Sequence, residues 1–386
     1  MKGLSVVGIG STTFGKHKTK TIIDLAKQAA EKAIFDAGID RKQIGSLYVG
    51  NFISGPLNGQ EVLAGIIAEA LGLGEVAATK VEGACASGGI AFRHACIAVA
   101  SGLTEYALAI GVEKMAHASG KEVTSALNFA LDKDTDGKAG LTFPSLYGMA
   151  WNSHSKKYGT TRSHVSAVVK KNKCAGLKNP LAQMGRNLTD NEILNSRLIA
   201  APIRLFDCCP VSDGAAAAII TTNKNAKRAK TPISVLASVQ TSGTPRVSSS
   251  NDLASFAASI SASNQAFQMA GISRKDISLV ELHDCFSIAE IIDIEDLGLI
   301  KRGEAGPWTA EGRTNIHGDV PINPSGGLIS KGHPVGATGV GQIYEVCKQL
   351  RGEHPNQVPD AKIGLTHNLG GCGIACTISI LANPNA

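Results

Sequence analysis

The chain has 386 residues, 43% of them hydrophobic, 18% charged and only 4% aromatic, with 43 glycines and a net charge of +6. That length exceeds one ordinary core, so two packed units or one duplicated unit are expected, and the composition excludes a disordered chain. The charge is spread out, without the Lys/Arg block or interleaved aromatics of a nucleic-acid groove, and a mild positive excess suits a phosphate-bearing small molecule.

The first residues, MKGLSVVGIGSTTFGK, lack a signal-peptide core and cleavage site. LSVVGIG (4–10) reads as a buried strand, and TIIDLAKQAAEKAIFDAG (21–38) as an amphipathic helix stopped by Gly38. SLYVGNF is a strand, a helix runs from about Gln60 to Leu71, AATKVEG is a strand, GGIAFRHACIAVASG a helix and YALAIGVEK a strand. This alternation predicts an α/β fold with a mostly buried sheet. From Lys114 to Phe206 the rhythm stops, and an insertion of that length reads as a substrate-covering subdomain. The pattern restarts after Lys230: strand PISVLASVQTSG, helix LASFAASISASNQAFQMAG, strand ISLVELHD and a helix from Ser287. A Gly-rich segment (323–341), a helix to about Leu350 and two β-rich runs, KIGLTHNLG and GIACTISIL, close the chain. Each half places a glycine-rich turn before its third helix, which indicates an internal duplication. The expected domains are 1–113 with 207–228, the inserted 114–206, and 229–386. No stretch is apolar and long enough to span a bilayer, so no membrane partner is expected.

Nine cysteines in a chain of this kind are expected to be reduced cytoplasmic thiols. In EGACASGG (82–89), Cys85 lies among small residues at a strand-to-helix junction. Free amides and the helix dipole there favour thiolate over thiol, and the bare neighbours let a carbonyl reach the sulfur. A packing cysteine remains the alternative on local sequence alone. His333, in SKGHPVGATG, sits where the following Pro fixes the backbone and glycines permit close approach, so it can take a nucleophile's proton or donate to an oxygen. An ordinary turn histidine is the competing reading. In ELHDCFSIAE (281–290), strand alternation sends His283 and Cys285 to one face at a strand's carboxyl end. No further ligands at recognisable spacing accompany this pair, and Cys208-Cys209 is no clamp, so no metal is expected. The glycine turn in THNLGGCGIA (366–375) offers amides to an oxyanion, beside His367 and Asn368.

Taken together, the CAS turn at Cys85, HDCF at 283–286, GHP at 332–334 and the closing glycine turn resemble the thiolases over essentially the whole chain. LFDCCPVSDGAAAAII (205–220) is similar to the family's segment leading back into the first core. HDCF with HN-x-G resembles the sterol-carrier-protein type and its single-domain microbial relatives, here the thiolase part alone. The resemblance implies duplicated βαβαβαββ halves in α-β-α-β-α layers with an inserted loop domain. It also implies ping-pong acyl transfer between coenzyme A thioesters as substrates, without a resident cofactor. In that scheme Cys85 carries the acyl group, His333 is its base and Cys285 replaces the missing acid/base cysteine. His283 and His333 stabilise the enolate, and the amides of Cys85 and of the Leu369–Gly370 turn hold an oxyanion. Where other thiolases carry a second catalytic cysteine this chain has His367, and Cys372 falls too late to replace it. A homodimer or dimer of dimers, and an OB-fold zinc-ribbon partner protein, are further implications. Three rival readings remain at this point: C-acyl transfer to an acceptor not bound to CoA, a decarboxylating synthase using His367 or Asn368, and a non-catalytic scaffold.

Overall fold

The computed structural model describes residues 3–227 and 229–384. The first half contains β1 (Leu4–Ser11), α1 (Ile22–Ala37), β2 (Ile44–Gly50), α2 (Leu63–Ala70), β3 (Ala77–Val81), α3 (Ser87–Ala100) and β4 (Tyr106–Glu113). Thr21 caps α1 by accepting from the Asp24 amide, and Gly38 ends it at φ 64°. Beyond β4 the longest helices are α4 (Gly120–Leu127), α5 (Phe143–Tyr158) and α6 (Arg162–Lys178), and β5 (Gly214–Thr222) follows. The second half runs through β6 (Ile233–Ser242), α7 (Ala257–Ala270), β7 (Leu279–Glu281), α8 (Ser287–Asp296), α9 (Thr338–Leu350), β8 (Ile363–Gly370) and β9 (Ala375–Ala382).

These strands form one sheet, in the order β3-β2-β4-β5-β1-β6-β9-β8-β7. Outward from its middle, the first half runs β1-β5-β4-β2-β3 and the second repeats that order as β6-β9-β8-β7. A single parallel bridge from Val280 to Ile322 stands where the counterpart of β3 belongs. The two β layers expected from the duplication are thus joined along one edge, where Leu4–Val6 of β1 pair antiparallel with Ile233–Val235 of β6. Helices α1 and α2 cover the outer face of the first half, α7 and α8 that of the second, and α3 and α9 fill the space between. Among the described residues no helix is long and apolar enough to cross a membrane.

The shortage of aromatics is explained by how closely backbones approach. A Cβ on Gly8 or Gly10 of β1 would come within 2.2 and 2.1 Å of carbonyl oxygens of α1. The decisive contact lies between the two central helices, which meet at their N-terminal ends. A Cβ on Gly339 of α9 would stand 2.2 Å from the amide of Gly89 in α3, and one on Gly88 would stand 2.7 Å from Gly336 O. This crossing brings the turn before α3, with Cys85, against the turn before α9, with His333. Gly339→Ala is therefore expected to destabilise the fold by about 1–3 kcal/mol through overpacking. A lowered urea midpoint at unchanged m would show it.

Candidate active site

After β3 the chain passes through Gly83 into a tight turn, Ala84–Ala86, that leads straight into α3. Ala84 is held at φ 51°, a left-handed conformation that costs energy in a residue with a Cβ. Ser87 Oγ keeps the turn closed, accepting from the Gly83 amide (3.0 Å) and donating to Ala84 O (2.6 Å). The turn before α9 has comparable support. Gly332 adopts φ 118°, open to glycine alone, and the His333 amide donates to Ser212 Oγ at 3.2 Å. Asp284 accepts from the amides of Leu328 (2.7 Å) and Ile329 (3.3 Å) and from Asn172 Nδ2 (2.8 Å), anchoring the helical turn that precedes His333.

Strand β7 is shorter than the sequence predicts, ending at Glu281, so His283–Phe286 form the loop into α8 rather than a strand end. Cys85, His283, Cys285 and His333 nonetheless line one cavity of about 330 Å³. Cys85 Sγ and one nitrogen from each histidine lie within 4.8 Å of one another. The two rings meet edge to face, 4.9 Å between centroids and 83° between planes. The remaining wall is largely apolar, with Phe52, Met115, Phe143 and Tyr147 among its residues, and Arg197 is the one Lys, Arg, Asp or Glu side chain among the described residues that line it.

Electrostatics corrects one expectation. Burial pushes the Cys85 thiol up to about 12, against hydrogen bonds from the amides of Gly371 and of Cys85 itself. The helix start does not overcome desolvation, so the site holds a thiol rather than a thiolate. Burial likewise pushes His333 down to about 3 and His283 well below the usual imidazole range. All three groups rest neutral. Alkylation of Cys85 by iodoacetamide should therefore rise about tenfold per pH unit from pH 7 to 9. Peptide mass spectrometry across that range checks this, and a plateau beginning below pH 7 would mark a thiolate–imidazolium pair instead.

The backbone donor expected at Leu369–Gly370 moves one position along. Leu369 and Gly370 complete β8, paired with Cys376 and Ala375, and neither lines the cavity. Gly371, just past the strand, does line it, and its amide reaches the Cys85 thiol. His367 is buried with Nε2 2.8 Å from Ser259 Oγ and does not line the cavity, so the synthase reading loses that residue. Its neighbour Asn368 points the other way, donating to Cys85 O at 2.9 Å. Cys372 lies elsewhere, its sulfur 3.2 Å from Pro245 O.

A model of the thiolase N-terminal domain matches residues 4–194, and one described as thiolase C-terminal domain-like matches 239–383. The chain belongs to the thiolase family. It is 42% identical over 384 residues to the acetyl-CoA acetyltransferase of Methanothermobacter thermautotrophicus, covering 99% of this chain and 100% of that one. Human sterol carrier protein 2 is 34% identical, with all of this chain matched to 73% of its length. Among solved structures the Ltp2-ChsH2(DUF35) aldolase superposes with a TM-score of 0.86 at 25% identity, covering 99% of this chain and 98% of that one.

Two residues of this thiolase's site escape the sequence reading. Tyr147, fully buried on α5 and stacked on Phe286 at 4.6 Å, hydrogen-bonds the Cys285 thiol, an interaction that opposes the upward push of burial on that sulfur. It lies within 114–206, where no periodicity reveals the packing. Glu113, at the end of β4, accepts from Asn51 Nδ2 (2.7 Å) and from the amides of Phe52 (3.0 Å) and Gly336 (3.1 Å). Burial raises its carboxyl to about 7, and it ties the first half to the turn after His333. A charged residue inside YALAIGVEK was the available signal.

Proposed function

We propose that this thiolase moves acyl groups between coenzyme A thioesters through an acyl-enzyme on Cys85, condensing two acetyl-CoA to acetoacetyl-CoA and thiolysing the product in reverse. The observation that carries the reading is the meeting of Cys85 Sγ with His283 and His333 within 4.8 Å in one cavity. With thiol and imidazole both neutral, His333 takes the proton as the sulfur attacks the thioester carbon, and returns it to the departing CoA thiol. Amides of Cys85 and Gly371 face the oxygen that becomes negative. Cys285, ionised to the thiolate that the Tyr147 hydrogen bond favours, then takes the α-proton of the second acyl-CoA. The enolate attacks the acyl carbon, and Cys85 leaves as thiolate and recovers a proton from Cys285. His283 donates to the enolate oxygen, one such donor being typically worth about 3 kcal/mol.

In this reading residues 114–206 form a substrate-covering subdomain between the cores 1–113 with 207–228 and 229–386. A cytoplasmic homodimer or dimer of dimers in lipid metabolism, without resident cofactor, is the assembly that goes with it. The Ltp2 neighbour is named as a complex with ChsH2(DUF35), which supports a small OB-fold zinc-ribbon partner here. That neighbour is also named an aldolase, which makes carbon–carbon cleavage without an acyl-enzyme the second reading.

Cys285→Ala separates the two. Acyl labelling of Cys85 by acetyl-CoA should survive, while acetoacetyl-CoA thiolysis and condensation fall by roughly 10²–10⁴-fold. Unchanged thiolysis would overturn the role given to Cys285. An unlabelled Cys85 would favour the aldolase.

A further inference from the structure

Both histidines of the site have Nδ1 engaged, and the partners differ in kind. His333 Nδ1 lies 2.7 Å from Thr338 Oγ1, and that hydroxyl donates its hydrogen to Pro334 O at 3.1 Å. With its one hydrogen directed to Pro334 O, the hydroxyl accepts from His333, which places the ring's proton on Nδ1. Around His283 the logic is reversed. The Asn368 amide is oriented by two main-chain groups: Nδ2 donates to Cys85 O at 2.9 Å, and Oδ1 accepts from the Gly89 amide at 3.4 Å. Its remaining N–H faces His283 Nδ1 at 3.3 Å. A donor opposite that nitrogen requires it bare, which puts the proton of the neutral ring on Nε2.

We infer that Asn368 and Thr338 are positioning residues that hold two touching imidazoles in opposite tautomers, His333 presenting a bare Nε2 and His283 an Nε2–H. The inference rests on the acyl-transfer reading and assigns the division of labour within it. His333 Nε2 accepts the proton of the Cys85 thiol as the sulfur–carbon bond forms, and surrenders it to the CoA sulfur as that bond breaks. His283 Nε2–H keeps its proton and donates a hydrogen bond to the thioester oxygen. If both rings had the same tautomer, the site would lack either its base or its donor. The arrangement also opposes a cation between Cys85 and the rings, because a ligating His283 Nε2 would have to give up its proton.

Histidine ¹⁵N NMR on the substrate-free chain at neutral pH tests this without turnover. The expected wild-type spectrum shows His283 protonated at Nε2 and His333 at Nδ1. Asn368→Ala should mix the His283 tautomers and leave those of His333 alone, and Thr338→Val should do the converse. Acylation of Cys85 should slow by roughly 10–100-fold in Thr338→Val and stay within about threefold of wild type in Thr338→Ser, which restores the hydroxyl. The same tautomer at both rings of the wild type, or a pure Nε2–H His283 in Asn368→Ala, would overturn the inference. Labelling of wild-type Cys85 by acetyl-CoA is read separately: labelling with like tautomers sinks only this inference, whereas opposite tautomers without labelling sink only acyl transfer.

Discussion

Cys85→Ala is expected to lower acetoacetyl-CoA thiolysis by on the order of 10⁵-fold, because covalent catalysis is lost outright when the nucleophile is removed. No other thiol can replace it. Cys208, Cys209 and Cys285 line the same cavity, but it is Cys85 that the strained Ala84 turn presents to both imidazoles. None of these three shares the cluster that Cys85 forms with the rings. Stability should change little, because the sulfur faces the cavity and its neighbours Ala84 and Ala86 already show that the turn tolerates a methyl side chain. Steady-state thiolysis together with thermal melting checks both halves of this expectation. Turnover within tenfold of wild type would remove Cys85 from the chemistry.

His333→Ala is expected to slow acylation by roughly 10³-fold at neutral pH. With the thiol held up to about 12, only a minute fraction is ionised at pH 7, and no base remains to help the attack. The loss should shrink as pH rises. Below its own pKa a thiol gains thiolate tenfold per pH unit, so the variant's rate should climb by that factor between pH 7 and 9. The wild type, whose buried His333 stays neutral down to about pH 3, should show no matching rise from this group over the same range. Single-turnover acylation followed against pH distinguishes the two. A variant as pH-independent as the wild type would mean that His333 is not the base.

Local pattern carried most of the secondary structure. The 3.6-residue period with Thr21 and Gly38 at its ends marked α1, and β-branched runs marked β1, β4 and β6. The repeat of strand order in the two halves followed from two glycine turns placed alike in sequence. Local pattern could not reveal what depends on contacts across 250 residues. The Gly88–Gly336 and Gly89–Gly339 approach joins two helix starts, and only the folded chain shows that none of these four glycines has room for a side chain. Desolvation is equally invisible in sequence, which is why the helix-start argument pointed to a thiolate where burial leaves a thiol. The glycine bend lies one position beyond the expected Leu369–Gly370, because β8 extends through Gly370 and the chain turns at Gly371. Alternation along β8 settles His367 against Asn368: they must face opposite ways, and the crossing of α3 and α9 decides which one meets Cys85.

The proposed chemistry turns on a covalent bond at one sulfur. Wild-type chain mixed with acetyl-CoA, quenched in acid and examined by intact and peptide mass spectrometry reports that bond directly. The predicted result is a gain of one acetyl group on the peptide containing Cys85, removed again by added CoA. An unmodified chain, or an acetyl group on another cysteine that CoA does not remove, would contradict it.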